Sequence, residues 1–179
     1  MFVHFRRRTR RGLAALLSAT LLSAGLLGLA GAGAAWSATA PKTHGLRTCT
    51  VSDLHVSMGR KGFAAGSVFW PIRFTNTSGT SCALRGFPGV SDLDRHHRQI
   101  GPAASRTNQP IATVRVTPGH TVFAVIRTTN GPIGGHCLRT STFLRIFPPA
   151  SHTAVVLRAS WRICSGIFQV GPVNTQGTF

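Results

Sequence analysis

The chain has 179 residues, of which 20 are lysine or arginine and 3 are acidic, giving a formal net charge of +17. All three acids are aspartates (Asp53, Asp92, Asp94) and glutamate is absent. Chemistry that needs a glutamate, or a choice among many carboxylates, is therefore excluded, whereas anionic polymers and anionic lipid head groups are attracted.

Met1 to Gly12 carries Arg6, Arg7, Arg8, Arg10 and Arg11, and Leu13 to Ala35 is an uncharged run dominated by Leu, Ala and Gly. Small residues follow at Ala32-Gly33-Ala34 and Ala38-Thr39-Ala40. A basic head, an apolar middle and an Ala-x-Ala end predict a cleavable secretory signal peptide over residues 1–40. The cut falls after Ala34, Ala35 or Ala40, the last disfavoured by Pro41. A retained membrane anchor is the competing reading, because the apolar run approaches the ~20 residues that span a bilayer. Its Gly-rich end and paired alanines favour cleavage. Thr9 to Leu13 also loosely matches a twin-arginine signal. The expected location is secreted, outside the cell.

About 140 residues remain, the size of one domain. A short flexible lead is expected over 41–48 and a single domain over 49–179. From Ala35 onward two lysines and thirteen arginines face three aspartates, a balance of +12. The eighteen arginines of the chain against two lysines also carry the mark of a GC-rich genome. Cys49, Cys82, Cys137 and Cys164 all lie beyond the signal, and an even count in an exported chain predicts two disulfides. Of the three possible pairings, Cys49–Cys82 with Cys137–Cys164 is favoured, because it divides the domain into an N-terminal and a C-terminal loop of similar length.

Val51 to Met58 is the first expected strand. Val68, Trp70, Ile72 and Phe74 alternate with Phe69, Arg73 and Thr75, which predicts a second strand with one face inward. Asn76 to Gly79 has turn chemistry, and Ser81 to Leu84 returns from it. Phe87-Pro88-Gly89-Val90 suits a type II turn. Val90 to Asp94 and Arg98 to Gly101 predict a hairpin across Arg95-His96-His97. Ala112, Val114 and Val116 alternate before a Pro118-Gly119 turn, with Val122, Ala124 and Ile126 expected as the opposite strand of that pair. Thr142 to Phe147, Ala154 to Arg158 and Gly166 to Val170 complete the set. No segment after the signal has a helical period. The expected fold is all-β: an immunoglobulin-like antiparallel β-sandwich of seven to nine short strands, with a small barrel as rival.

Cys49-Thr50-Val51-Ser52-Asp53-Leu54 and the run from Pro71 to Val90, with Asn76 to Val90 its most specific block, resemble a secreted actinobacterial family of domains of unknown function, number 4232. Pro118-Gly119, Cys137, Pro148-Pro149, Cys164 and Pro172-Val173 resemble its second half. Phe87 stands where the family commonly shows tyrosine. The resemblance implies an exported β domain and supplies no activity, so no functional residue is carried over from it. Each distinctive residue of the block also has a structural task, as turn former, bend or disulfide partner, which points to a scaffold.

Asp92 and Asp94 are the best pair for a hydrolase that cleaves glycosidic bonds. They are expected on one side of a strand about 7 Å apart, and a solvated strand face pairing with arginines is the simpler reading. Oxidised cysteines are not nucleophiles, and no Gly-x-Ser-x-Gly elbow is present. His96-His97 would point to opposite faces of a strand, and His55, His120 and His152 are isolated, so neither metal nor cofactor is expected. Arg73, Arg115, Arg127, Arg145, Arg158 and Arg162 fall on expected strands, several at outward positions, where guanidinium rows grip phosphate groups. Aromatic interleaving for base stacking is thin, so no specific nucleic acid is expected. Gly134 to Arg139 is a candidate inhibitory loop with Arg139 as specificity residue. The resulting expectation is a monomeric, secreted, non-catalytic module without a small-molecule substrate, which binds anionic cell-wall polymers or anionic lipid head groups. A protease inhibitor or other protein-binding module, and a hydrolase using Asp92 and Asp94, are the alternatives.

Overall fold

The computed structural model describes residues 45–179. The segment read as a signal peptide and the first half of the expected lead, residues 41–44, lie outside the described residues. Among those residues the only helical element is a single 3-10 turn, Val51–Asp53, and no helix is long and apolar enough to cross a membrane. The rest is β-structure in three sheets.

The largest sheet is built on β3 (Ser67–Asn76), where alternation is strict: Ile72 and Phe74 are fully buried and Arg73 between them is exposed. On one side β3 pairs antiparallel with β1 (Leu54–Met58) and β2 (Gly62–Ala64). On the other it pairs over nine residues with β8 (Thr121–Thr129). β11 (Gln169–Val170) and β6 (Ser105–Arg106) extend the sheet through a parallel pair. Pro71 is tolerated in mid-strand because it falls between the segments covered by β1 and β2. Its carbonyl accepts the Gly59 N–H at 2.8 Å, and its missing N–H faces the gap, where no ladder bond is lost.

The second sheet runs β10 (Val155–Arg158), β9 (Phe143–Phe147), β5 (Gly89–Leu93); the third pairs β4 (Cys82–Arg85) with β7 (Thr113–Val116). One hydrophobic core joins all three. Ile72, Phe74 and Ile126 come from the large sheet, Val90, Leu144 and Ile146 from the second, and Leu84 and Val116 from the third.

Among the described residues eleven strands form, more than the seven to nine expected. β2 and β6 account for the excess, because two or three residues are too few to show a period. Two expected pairings are also corrected. The segment from Cys82 does not return along β3, and Val122 to Ile126 does not pair with Val114 and Val116 across Pro118-Gly119. Instead β4 pairs with β7, and β8 with β3. The cause is the end of β3, which lies between them. The Asn76 N–H donates to the His120 carbonyl at 3.0 Å, and the Asn76 carbonyl accepts the Gly119 N–H at 2.8 Å. Gly119 sits at φ +77°, which a glycine adopts freely. The chain thus crosses here from one sheet to another. The expected hairpin at Val90 to Gly101 forms as a short one: Leu93 bridges Gln99, the Asp94 N–H donates to the Arg98 carbonyl and the Ile100 N–H to the Asp92 carbonyl at 2.9 Å each, and β9 is the longer partner of β5.

Both disulfides are present in the favoured pairing, Cys49–Cys82 and Cys137–Cys164, separated by 33 and 27 residues. Loops of that length contribute roughly 3–4 kcal/mol each by restricting the unfolded chain. The first bridge also fixes the start of the domain against β4, where the Cys49 N–H donates to the Ala83 carbonyl at 2.9 Å.

Candidate functional site

The six arginines expected on strands do not share one face. Arg73 and Arg127 lie on the outer face of the large sheet, Arg145 and Arg158 on the outer face of the second, and Arg115 on β7. Arg162 is exposed but lies between β10 and β11, outside any strand. Two of the six are half-buried and held by internal hydrogen bonds, and the exposed Arg115 donates one terminal nitrogen to Ser81 Oγ at 3.4 Å. Arg127 is half-buried, donates to Ser67 Oγ and Gln169 Oε1 at 3.1 Å each, and lies over the Phe179 ring. Arg145 is half-buried and donates to Gln99 Oε1 at 2.8 Å. Arg73, Arg115, Arg158 and Arg162 are exposed.

The three aspartates are all withdrawn from the surface field, by two different routes. The Asp53 carboxylate accepts a two-pronged contact from Arg47 at 2.6 and 2.8 Å and a bond from the Thr50 N–H at 2.7 Å. These donors, Arg47 foremost, hold its pKa well below the ordinary carboxylate range. Asp94 accepts the backbone N–H groups of His96 and Arg98 at 2.8 and 2.9 Å, and the side chains of Arg98 and Arg139 at 3.1 and 3.2 Å. The Arg98 N–H leads the donors that hold its pKa down at about 2.

Asp92 corrects the expectation of a solvated strand face. It is 0% exposed, sits opposite Leu144 on the same side of β5 as Val90, and neither carboxylate oxygen has a hydrogen-bond partner. Burial alone pushes its pKa up to about 7. The strand misleads because both of its faces are covered, with Ser91 and Leu93 buried as well. Asp92 and Asp94 therefore do not face a common space, and Asp92 has no exposed oxygen to offer a substrate.

Around Asp94 the structure assembles a cluster whose members Asp94, His96 and Arg139 were each weighed in the sequence for a different role. Arg95, His96, Arg98, Arg139, Thr140 and Thr142 line with Asp94 a cavity of about 370 Å³. Arg95 Nε donates to His96 Nε2 at 2.8 Å. The hairpin supplies Arg95 and Arg98, and the segment after Cys137 brings Arg139 across to it. The visible signal was the density of basic residues from Arg95 to Arg98; the contribution of Arg139, 45 residues from Asp94 along the chain, was not legible.

Elsewhere, Lys61 lies over the Trp70 ring at 4.1 Å and donates to the Ser160 carbonyl at 2.8 Å. A groove of about 650 Å³ runs between β7 and the C-terminal segment, with Arg115 and Phe179 among its walls. Among the described residues no group of three or more His, Cys, Asp and Glu side chains is placed to hold a metal ion.

These features define a disulfide-stapled, all-β domain with a strongly cationic surface and no assembled carboxylate pair. The chain belongs to the family described as Domain of unknown function (DUF4232), whose model matches residues 49–174. No curated protein and no solved structure matches the chain.

Proposed function

We propose that this protein is an exported, non-catalytic module of the cell envelope or its surroundings that associates with anionic envelope polymers through its cationic surface. One observation carries the reading: the domain's positive charge is almost uncompensated. Arg47, Arg98 and Arg139 are the only cations paired with a carboxylate among the described residues, and the remaining aspartate, Asp92, is buried. Guanidinium groups stay charged at any physiological pH and pair bidentately with phosphate and carboxylate oxygens. Export is supported by the basic head and apolar run of residues 1–40 and by the two disulfides, which persist in oxidising surroundings.

Contact with a polyanion releases condensed counterions, so affinity falls steeply with salt. The test is binding of the exported protein to purified wall polymer and to heparin between low and physiological ionic strength. The expected result is binding at low salt that weakens by an order of magnitude or more. Replacing the exposed Arg73, Arg115 and Arg158 together with glutamine weakens it further, and Asp92→Asn does not. Absence of binding at low salt overturns the reading, and salt-independent binding replaces it with a specific protein partner.

A further inference from the structure

We propose that the cavity beside Asp94 is a built oxyanion site, at which Arg95, Arg98 and Arg139 grip a phosphate group carried by the polymer. This rests on the polyanion reading above and gives it a place and a ligand chemistry. Three guanidinium groups and His96 surround a single carboxylate, so the cavity keeps a net charge of about +2 when that carboxylate is ionised, as its donors ensure. Asp94 is a positioning residue there. Its side chain is 9% exposed, against 70% for Arg98 and 61% for Arg139, so the carboxylate lies behind the two guanidinium groups that it holds.

The contacts leave donors to spare. Asp94 occupies Nε of Arg98 and one terminal nitrogen of Arg139, which leaves both terminal nitrogens of Arg98 and one of Arg139 without a carboxylate. Arg95 uses only Nε, toward His96. Several N–H donors from three planar forks thus remain around one cavity. Successive phosphate groups along a polymer each present two non-bridging oxygens a short distance apart, so one chain segment meets several of these forks at once, each as a two-pronged contact. The strand arginines lack this arrangement, being divided among three sheets. A site whose cations are pre-ordered loses less side-chain entropy on binding than the same number of free arginines.

Charge and geometry make opposite predictions for one substitution. Asp94→Asn raises the net charge by one, so a purely electrostatic surface binds polyanions more tightly. A built site loses the group that orders Arg98 and Arg139, and binds more weakly. The experiment measures binding of inorganic polyphosphate to the exported protein at low salt, with polygalacturonate as a carboxylate polymer and phosphatidylglycerol vesicles as a lipid phosphate source. The variants are Asp94→Asn, Arg95→Gln with Arg98→Gln and Arg139→Gln, and Arg73→Gln with Arg115→Gln and Arg158→Gln.

The triple change at the cavity and the triple change elsewhere remove equal charge. The expected result is that the cavity variant costs roughly tenfold more affinity for polyphosphate, by the loss of charge-assisted bonds as well as charge. Asp94→Asn weakens binding too, and polygalacturonate discriminates less between the two triple variants. Thermal unfolding of each variant separates lost binding from lost folding: a cooperative transition near or above the wild-type temperature shows that the domain is intact. Equal effects of the two triple variants, or tighter binding by Asp94→Asn, overturn the site while leaving the polyanion reading intact. Tighter binding to vesicles than to polyphosphate overturns the choice of polymer. A wild-type protein that binds none of the probes overturns the broader reading.

Discussion

The most unusual single group in this domain is the Asp92 carboxyl, fully buried with no hydrogen-bond partner for either oxygen. An unpaired buried charge is far costlier than a buried neutral acid, and the group responds by holding its proton up to about pH 7. In the unfolded chain the same group ionises near 3.8. Between these values the folded state binds the extra proton, so stability falls as pH rises and levels off above about 7. The span corresponds to ~4 kcal/mol at 1.36 kcal/mol per pH unit. The other two aspartates act in the opposite sense, but below pH 4: their pKa values are lowered on folding, so their contribution is lost only as acid protonates them. Denaturation midpoints from pH 4.5 to 7.5 should therefore decline in the wild type. In Asp92→Asn, which keeps the shape and removes the titration, the profile should be flat and the stability at pH 7.5 higher. Parallel profiles for the two proteins would show that Asp92 is compensated.

At the scale of elements, alternation identified faces and left neighbours undetermined. Ile72 and Phe74 in β3, Val114 and Val116 in β7, and Val122, Ala124 and Ile126 in β8 all point inward, as their spacing indicated. The pairing of those strands depends on where a distant residue makes its bonds, and Asn76 is that residue. It is fully buried. Its Nδ2 donates to the carbonyls of Thr80 and Val116 at 2.9 Å each, and its Oδ1 accepts the Ser78 N–H at 2.9 Å. The turn signal in Asn76 to Gly79 was legible because asparagine commonly bonds the backbone two residues on; the reach to Val116 was not, because nothing local encodes it. The same limit hid the cluster at Asp94, whose Arg139 arrives from another segment, and the burial of Asp92, whose polar character mimics an exposed position. Asn76→Ala leaves the buried Val116 carbonyl without its side-chain donor and should cost roughly 2–3 kcal/mol in denaturant-induced unfolding. Asn76→Asp, which sets a carboxylate against two carbonyls, should cost more. A loss under about 0.5 kcal/mol for the alanine variant would mean that this residue does not hold the sheets together.

For the whole molecule, the charge that recommends a polyanionic partner also works against the fold. The described residues carry thirteen arginines and Lys61 against three aspartates, and only three of these fourteen cations have a carboxylate partner. Folding brings the rest from a chain of roughly 40 Å radius into a body of roughly 14 Å radius, which raises their mutual repulsion. At 0.01 M salt the screening length is about 30 Å, comparable with the domain's diameter, so every cation feels the others. At 0.15 M it is about 8 Å, and most of that repulsion is screened. A domain stabilised by surface ion pairs loses stability over this range, whereas a domain burdened by like charge gains it. The melting temperature should therefore rise with sodium chloride. A gain of about 1 kcal/mol corresponds to roughly 4 °C for a domain of this size. The measurement belongs in a buffer free of polyanions and multivalent phosphate, since a ligand that binds only the folded state raises the transition by mass action. Adding polyphosphate at 0.01 M salt should then produce a larger rise than sodium chloride does, because it neutralises the surface and occupies a site at once. A melting temperature that falls with sodium chloride would mean that the ion pairs of Asp53 and Asp94 outweigh the repulsion among the remaining cations, and would remove the energetic motive for a polyanionic partner.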